Sequence, residues 1–272
     1  MTEQDYAFVA KLLQERCAIV LEPGKQYLLD SRLTPVARKY GLASVADFVR
    51  RLRTAPDNGL LTDLVEAMVT TETSFFRDLH PFETLRKTII PELIRTRATE
   101  KRLNIWCAAS ATGQEPYTVA ILLKESFPEL AAWKVNFIAT DISEEMLRRS
   151  KEARYSQIEV NRGLPIALLM KYFDQQGRYW QLHDDVRRMV EFRQLNLAQP
   201  WAPMPPMDLV LMRNVMIYFD VETKKSILGR MAKVLRPDGY LLLGMAETTV
   251  FLDDAFERVE ELKSGFYRLV RK

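Results

Sequence analysis

The stretch Met207-Asp208-Leu209-Val210-Leu211-Met212-Arg213-Asn214-Val215-Met216-Ile217-Tyr218-Phe219-Asp220 runs an apolar segment into two polar groups, then into Met-Ile-Tyr-Phe. A short β-prone run of this kind fits a central parallel strand covered on both faces, and open α/β sheets bind ligands at the carboxyl ends of such strands. Arg213 and Asn214 are therefore candidates for a site. The competing reading of Arg213 is a structural ion pair, and of Tyr218 a packed aromatic.

A second cluster follows the apolar run Leu103–Ala109, in the loop Ser110-Ala111-Thr112-Gly113-Gln114-Glu115-Pro116-Tyr117. A dinucleotide site would place three glycines here so that backbone amides approach a pyrophosphate at a helix start. This loop has one, Gly113, and it carries Glu115, which would repel phosphates and favour a cation. S-adenosylmethionine fits that requirement, having no phosphate and carrying a sulfonium and an ammonium. The competing reading of Glu115 is a first-turn acid that complements the helix dipole. Asp141 closes the next apolar run, Val135–Asp141, where α/β nucleoside sites put an acid on the ribose hydroxyls. It could instead cap a helix over 143–152, a role Ser143 could also fill.

These residues need a scaffold, and the rhythm of the chain supplies one. From residue 103 short apolar runs alternate with helical segments at 114–126, 143–152 and 222–235, and Leu235-Arg236-Pro237-Asp238-Gly239 reads as a stop before a strand at Tyr240–Gly244. Such alternation predicts an α/β fold with a doubly wound parallel sheet. The rhythm breaks at 155–196, where Leu164–Phe173 reads as helix and β-prone runs surround Tyr179–Leu182 and Met189–Phe192; a small antiparallel β-subdomain is expected near 177–193. Residues 1–85 read as a helical domain and 86–102 as a linker to the α/β remainder, 103–272. Thr2–Asp5 and Ser44–Asp47 have capping-box spacing, and Leu29, Leu33 and Val36 share one helix face. Pro35 either bends that helix or, behind Thr34 as cap, starts another.

Composition narrows the classes. With 272 residues, 47% hydrophobic and 28% charged, the chain has the composition of a folded globular protein rather than a disordered one. No run approaches the roughly 18 apolar residues of a membrane span, and Met1-Thr2-Glu3-Gln4-Asp5 lacks a signal-peptide pattern, so a cytoplasmic protein is expected. Cys17, Cys107, His80 and His183 lack the paired spacing of a zinc site, and no metal is expected. A net charge of +3 does not argue for nucleic acid.

Taken in order, Thr71-Glu72-Thr73-Ser74-Phe75-Phe76-Arg77-Asp78, Trp106–Tyr117, Ala139-Thr140-Asp141-Ile142, Gln194-Leu195-Asn196-Leu197 and Arg213–Phe219 resemble the successive signatures of the CheR-type chemotaxis receptor methyltransferases. The resemblance spans nearly the whole chain. It implies a helical N-terminal domain, an S-adenosylmethionine-binding α/β domain with an inserted β-subdomain, and methyl transfer to the γ-carboxylate of receptor glutamates, leaving S-adenosylhomocysteine. Carried onto matching positions, it implies that Thr71, Thr73, Arg77, Glu115, Asp141, Asn196, Leu197, Arg213 and Asn214 line the cofactor site. Thr71 stands where Asn is common, and Gln114 where Glu is frequent. Arg213 and Tyr218 are expected beside the transferring methyl. Lys25, Arg32, Arg38 and Lys39 stand where the family presents a receptor-facing helix, and the expected partners are the acidic methylation helices of chemoreceptors, with neither nucleic acid nor membrane insertion. The glycine-containing loop with which some members anchor a receptor C-terminal peptide is short here, Phe173-Asp174-Gln175-Gln176-Gly177-Arg178, so recognition without that tether is expected. A nicotinamide oxidoreductase and a non-enzymatic scaffold are the alternatives, opposed by the single loop glycine and by the retained polar set.

Overall fold

The computed structural model describes residues 1–270, and the chain forms two compact units. The first comprises Met1–Thr70 with Tyr218–Thr223. Its helices are α1 (Glu3–Cys17), α2 (Gln26–Lys39), α3 (Val45–Thr54) and α4 (Asn58–Met68). Thr2 and Asp5 form the reciprocal capping box, whereas at α3 the Ser44 hydroxyl accepts from Asp47 N without a full box. Pro35 stays inside α2, so one helix persists, and Thr34 Oγ1 donates back to the Asp30 carbonyl at 2.5 Å. The buried face is Leu29, Leu33 and Ala37, with Val36 half-buried: the stripe runs i, i+4, i+8. Leu13, Phe48, Val49, Leu60 and Leu64 complete this core.

The second unit takes Thr71–Ile217 and the chain from Lys224 onward. The helical texture read through residue 85 therefore divides after Thr70, because Phe75, Phe82, Leu85, Ile89, Ile90 and Leu93 are buried in the core of this unit. There α5 (His80–Thr84) is followed by a π-helical turn and α6 (Ile90–Thr96), the latter two largely where a linker over 86–102 was expected. The remaining helices are α7 (Gln114–Ser126), α8 (Glu144–Glu152), α9 (Gln157–Asn161), α10 (Ile166–Tyr172), α11 (Asp184–Arg187) and α12 (Val221–Val234). The strands are β1 (Arg102–Ala108), β2 (Lys134–Asp141), β3 (Arg154–Ser156), β4 (Phe173–Gln176), β5 (Tyr179–Leu182), β6 (Glu191–Gln194), β7 (Met207–Met212), β8 (Leu235–Leu243), β9 (Phe256–Arg258) and β10 (Phe266–Leu269).

Seven strands form one sheet in the order β6-β2-β1-β7-β8-β10-β9. From β6 to β8 neighbours are parallel, while β10 is antiparallel to both β8 and β9. The sheet grows from β1 in both directions, so the carboxyl ends of β1 and β7 flank the point where strand order reverses. That is where a ligand crevice forms in open α/β sheets. All six residues of β7 are buried, as its apolar run demands.

Two expectations need correction. The small antiparallel sheet is β3-β5-β4, using Arg154–Ser156 and Phe173–Leu182, whereas Glu191–Gln194 joins the large sheet as a parallel edge beside β2. Phe192 is buried in the main core and packs edge-on against Tyr117, at 5.6 Å between rings, which draws β6 away from the hairpin. Leu235–Gly239 is part of β8 rather than a stop before it, with a register irregularity opposite Met207–Leu209. Gly239 permits this, since a Cβ there would lie 2.9 Å from the Met207 carbonyl.

At the amino ends of the strands a buried ion network ties β7 to β8. Arg97 Nε donates to Asp208 at 2.6 Å and its two terminal nitrogens to Asp238 at 2.7 and 2.5 Å; Asp208 also accepts Asn104 N at 2.7 Å. This edge is structural. Among the described residues no helix is long and apolar enough to cross a membrane.

Candidate active site

At the opposite edge, five strand ends converge in one region of the second unit. The chain leaves β1 in an unusual backbone: Ala109 (φ 56°), Ala111 (φ 47°) and Gly113 (φ 90°) alternate through the left-handed region before α7 begins. L-residues adopt that region only when their surroundings over-determine it. Here Asp141 Oδ2 accepts Ala111 N at 2.8 Å, Ser150 Oγ donates to Ala111 O at 2.9 Å, and Tyr155 OH donates to Thr112 O at 2.9 Å. A Cβ on Gly113 would meet Ser150 Oγ at 3.0 Å and the Tyr117 ring at 3.2 Å, so glycine fits this turn sterically and conformationally.

Asp141 also accepts Ser143 N at 3.0 Å, while the Ser143 hydroxyl accepts Met146 N and caps α8. The cap thus belongs to Ser143, and Asp141 joins the β1 loop to the end of β2.

Arg213 is buried at the end of β7, its side chain 1% exposed. Nη1 donates to Glu115 Oε2 at 2.6 Å, and Nη2 to Asp78 Oδ2 at 2.7 Å and the Arg77 carbonyl at 3.1 Å. The guanidinium also lies 5.4 Å from the Phe82 ring centre. Glu115 and Arg213 therefore answer one another, and Asp78 adds a second carboxylate. A cation beside this cluster would meet two acids against one base. Cys107 beneath it donates to Glu115 Oε1 at 3.3 Å, and burial, reinforced by that carboxylate, pushes its thiol well above the ordinary range. It is neutral filler, not a nucleophile.

The Thr71–Asp78 segment is held in place from several directions. Arg162 makes two bonds to Glu72, at 2.9 and 2.5 Å, holding that carboxyl below its usual range. Thr118 Oγ1 accepts Phe76 N at 3.1 Å, and Gly163 packs so closely on Phe75 that a Cβ would fall 2.0 Å from its carbonyl. Arg77 is half-buried, with Nη1 3.3 Å from the Glu72 carbonyl; Thr71 and Thr73 flank it, also half-buried. Asn196 and Leu197 follow the end of β6, where Asn196 Oδ1 accepts Ala198 N at 3.0 Å and the Leu197 carbonyl accepts from Arg230 at 2.8 Å. Tyr218 falls with the helical unit, where its carbonyl accepts Val20 N at 3.0 Å.

Two groups escaped sequence reasoning. Ser110 Oγ is buried beside the β1 loop with no hydrogen-bond partner, and Arg213 Nε is likewise unpartnered. A buried hydroxyl without a partner is costly unless a bound molecule satisfies it, so it fits a site for a polar ligand. Glu247 is the other. Its Oε2 accepts Asn214 N at 2.8 Å and Gly244 N at 2.7 Å, and its Oε1 accepts Val215 N at 2.9 Å and Met216 N at 2.8 Å. One carboxylate thereby sets the left-handed turn at Asn214 (φ 58°) and fastens the β7 loop to β8. No local motif marked it, because three of its four partners lie 31 to 33 residues away and only Gly244 is near in sequence.

The set fits S-adenosylmethionine. The donor and acceptor chemistry combines an unpartnered hydroxyl, an acid at the end of β2, and a two-acid cluster, without a phosphate cradle. A family model described as CheR methyltransferase, SAM binding domain matches residues 71–264, and one described as CheR methyltransferase, all-alpha domain matches residues 4–69. The border between them falls where the two compact units divide. The chain is 39% identical over 269 residues to Chemotaxis protein methyltransferase 1 of Pseudomonas aeruginosa, covering 97% of each. It is 38% identical over 260 residues to Chemotaxis protein methyltransferase Cher2 of Pseudomonas putida, covering 94% of each. To Chemotaxis protein methyltransferase of Vibrio parahaemolyticus it is 38% identical over 273 residues, covering 99% of this chain and 98% of that one.

Proposed function

The chain belongs to the CheR methyltransferase family, whose S-adenosylmethionine-binding domain it carries, and from that premise we propose that it methylates the γ-carboxylate of glutamates in chemoreceptors. When bound, S-adenosylmethionine supplies a methyl on positively charged sulfur, which a carboxylate oxygen takes in one displacement without moving a proton. The products are a glutamate methyl ester and S-adenosylhomocysteine.

The observation that carries this reading is the convergence of placed hydrogen-bonding groups at the ends of β1, β2 and β7: Ser110 Oγ, Asp141 and the Glu115–Arg213–Asp78 cluster. A glutamate side chain ordinarily titrates near pH 4.3, about three units below neutrality, so it is already an anionic nucleophile and no base is needed. What the chain must supply is position, and well-oriented reactions show that this can lower a barrier by about 7–11 kcal/mol. In this reading Asp141 accepts from the ribose and Ser110 Oγ contacts the nucleoside portion. Thr71, Thr73, Arg77, Asn196, Leu197 and Asn214 line the remainder. Arg213, aimed by Glu115 and Asp78, and Tyr218 stand beside the methyl. Lys25, Arg32, Arg38 and Lys39 of the helical unit receive the acidic receptor helix. The tight Gly177-Arg178 turn between β4 and β5 favours recognition without a receptor C-terminal tether.

The test is incubation with methyl-labelled S-adenosylmethionine and the cytoplasmic fragment of a chemoreceptor from the same organism. Base-labile label released as methanol, and lost when the receptor glutamates are changed to alanine, is the expected result. Base-stable label, or none despite calorimetric binding of S-adenosylhomocysteine, would refute it.

A further inference from the structure

The loop between β8 and β9 buries polar side chains while displaying large apolar ones. Its buried members are polar: Glu247 with its four amides, and Thr249, whose carbonyl accepts Leu252 N at 2.9 Å and Asp253 N at 3.1 Å. Alongside exposed Thr248 and Asp254 it displays three large apolar side chains: Met245 is 80% exposed, Val250 55% and Phe251 94%. Single exposed apolar residues are ordinary, but three large ones on one hydrogen-bonded loop form a displayed patch. Phe251 is also held at φ 62°, a backbone that bulky residues rarely adopt without a compensating role. Leu79, 58% exposed and at φ 40°, adds a further apolar group from the segment after Asp78.

The patch is continuous with the site. Glu247 bonds the loop to Asn214–Met216, directly after Arg213, and Asp78, which holds Arg213, leads into Leu79 and His80. Beside it lies a cavity of about 340 Å³ whose lining includes Met245, Thr248, His80, Arg258, Lys263 and Ser264. The acid in that lining is Glu247, whose oxygens face backbone amides. The surface therefore offers apolar anchors next to hydroxyls and basic side chains.

We propose that the Met245–Phe251 loop is a docking surface for the glutamate-bearing helix of the substrate receptor, with the helix's apolar side chains on Met245, Val250 and Phe251 and a neighbouring acidic side chain toward Arg258 and Lys263. The proposal rests on the glutamate-methylation reading and names how that substrate is held in the second unit. A rigid loop suits the task, since its side chains lose little freedom on binding and an exposed aromatic supplies much of the contact energy.

The test is steady-state methylation of the receptor cytoplasmic fragment by wild type and by Met245→Ser/Phe251→Ser, with S-adenosylhomocysteine affinity and melting temperature measured alongside. The double variant should raise KM for receptor about tenfold or more, as loss of an aromatic anchor does, with kcat, cofactor affinity and melting temperature nearly unchanged. Arg258→Glu/Lys263→Glu should also raise KM, and flatten its dependence on salt. An unchanged KM in Met245→Ser/Phe251→Ser, with wild type active, overturns the docking surface while leaving the methylation reading intact. A wild type inactive on the fragment yet binding S-adenosylhomocysteine overturns both. A dimer in sedimentation that Met245→Ser/Phe251→Ser dissolves, with KM unchanged, would assign the patch to a second copy instead.

Discussion

At the scale of single residues, carboxylates organise this protein by accepting backbone amides as much as by pairing with bases. Asp141 illustrates the consequence. Asp141→Ala should weaken S-adenosylhomocysteine binding by about 1.5–3 kcal/mol, and because Ala111 and Ser143 amides lose their acceptor it should also lower stability by about 1–3 kcal/mol. Calorimetry on the folded variant decides the first part; undiminished affinity would remove Asp141 from the nucleoside site. Glu247 makes a sharper case. Glu247→Ala strands amides that the side chain now satisfies, which should cost about 3 kcal/mol or more given about 1–3 kcal/mol per unmet buried group. Glu247→Gln keeps the shape but turns an NH2 toward two N–H donors, so its loss should resemble that of alanine rather than that of a conservative change. Gly244→Ala should act like either, as its Cβ would sit 2.7 Å from Glu247 Oε2. Denaturant midpoints equal to wild type would show that the carboxylate does not hold the β7 loop.

At the scale of elements, α2 and the strand edges divide structural from functional charge. Lys25 pairs with Glu22 at 2.7 Å and Lys39 with Asp63 at 2.6 Å, while Arg32 donates to the Met68 carbonyl at 2.6 Å and so caps the end of α4. Among the described residues Arg38 is exposed and carries no such bond. Arg38→Glu should therefore slow receptor methylation several-fold and weaken its salt dependence without altering stability or cofactor affinity, since exposed complementary charge mainly speeds encounter. Arg32→Glu should slow methylation too but also destabilise the helical unit. Normal receptor kinetics in both would take docking away from α2. At the amino edge of the sheet, Arg97→Met leaves buried Asp208 with only Arg236 Nε at 3.3 Å and the Asn104 amide, a change that should cost about 3 kcal/mol. Its folded fraction should bind S-adenosylhomocysteine with wild-type affinity, because this network lies at the strand ends opposite the site.

For the molecule as a whole, the proposed methylation of receptors turns on what holds the protein to its substrate. The β4–β5 hairpin closes through Gly177-Arg178 alone, with Gly177 at φ 63°, so little loop backbone is available beside β4 to pair with an incoming strand. Calorimetry against C-terminal peptides of the organism's own receptors should find no one-to-one complex tighter than about 10 μM, which corresponds to about 7 kcal/mol. A tighter complex would mean that the β-subdomain does tether. With no tether, affinity must come from the surfaces that meet the methylation helix itself, which makes the α2 and Met245–Phe251 tests complementary.

What the sequence determined by itself was whatever depends on neighbours in the chain. The apolar runs specified β1, β2 and β7, the helix at Gln114–Ser126 followed from its period, Ser143 was available as the cap of α8, and Asp141 and Arg213 were legible as polar groups at strand ends. Capping, periodicity and burial of a strand act over a few residues and are legible there. Tertiary structure alone decided the long-range matters. It sent Glu191–Gln194 to the large sheet and Phe173–Gln176 to the small one, because the buried contact of Phe192 with Tyr117 outweighs proximity in sequence. It drew Phe75–Leu93 into the second core, where residues up to 85 had read as part of the first domain and those from 86 as a linker. It enclosed Arg213 between Glu115 and Asp78, and it placed Glu247 over amides more than thirty residues distant. A buried charge or an unmet amide can be satisfied by any partner that the fold brings within reach, so no local pattern encodes which one it will be.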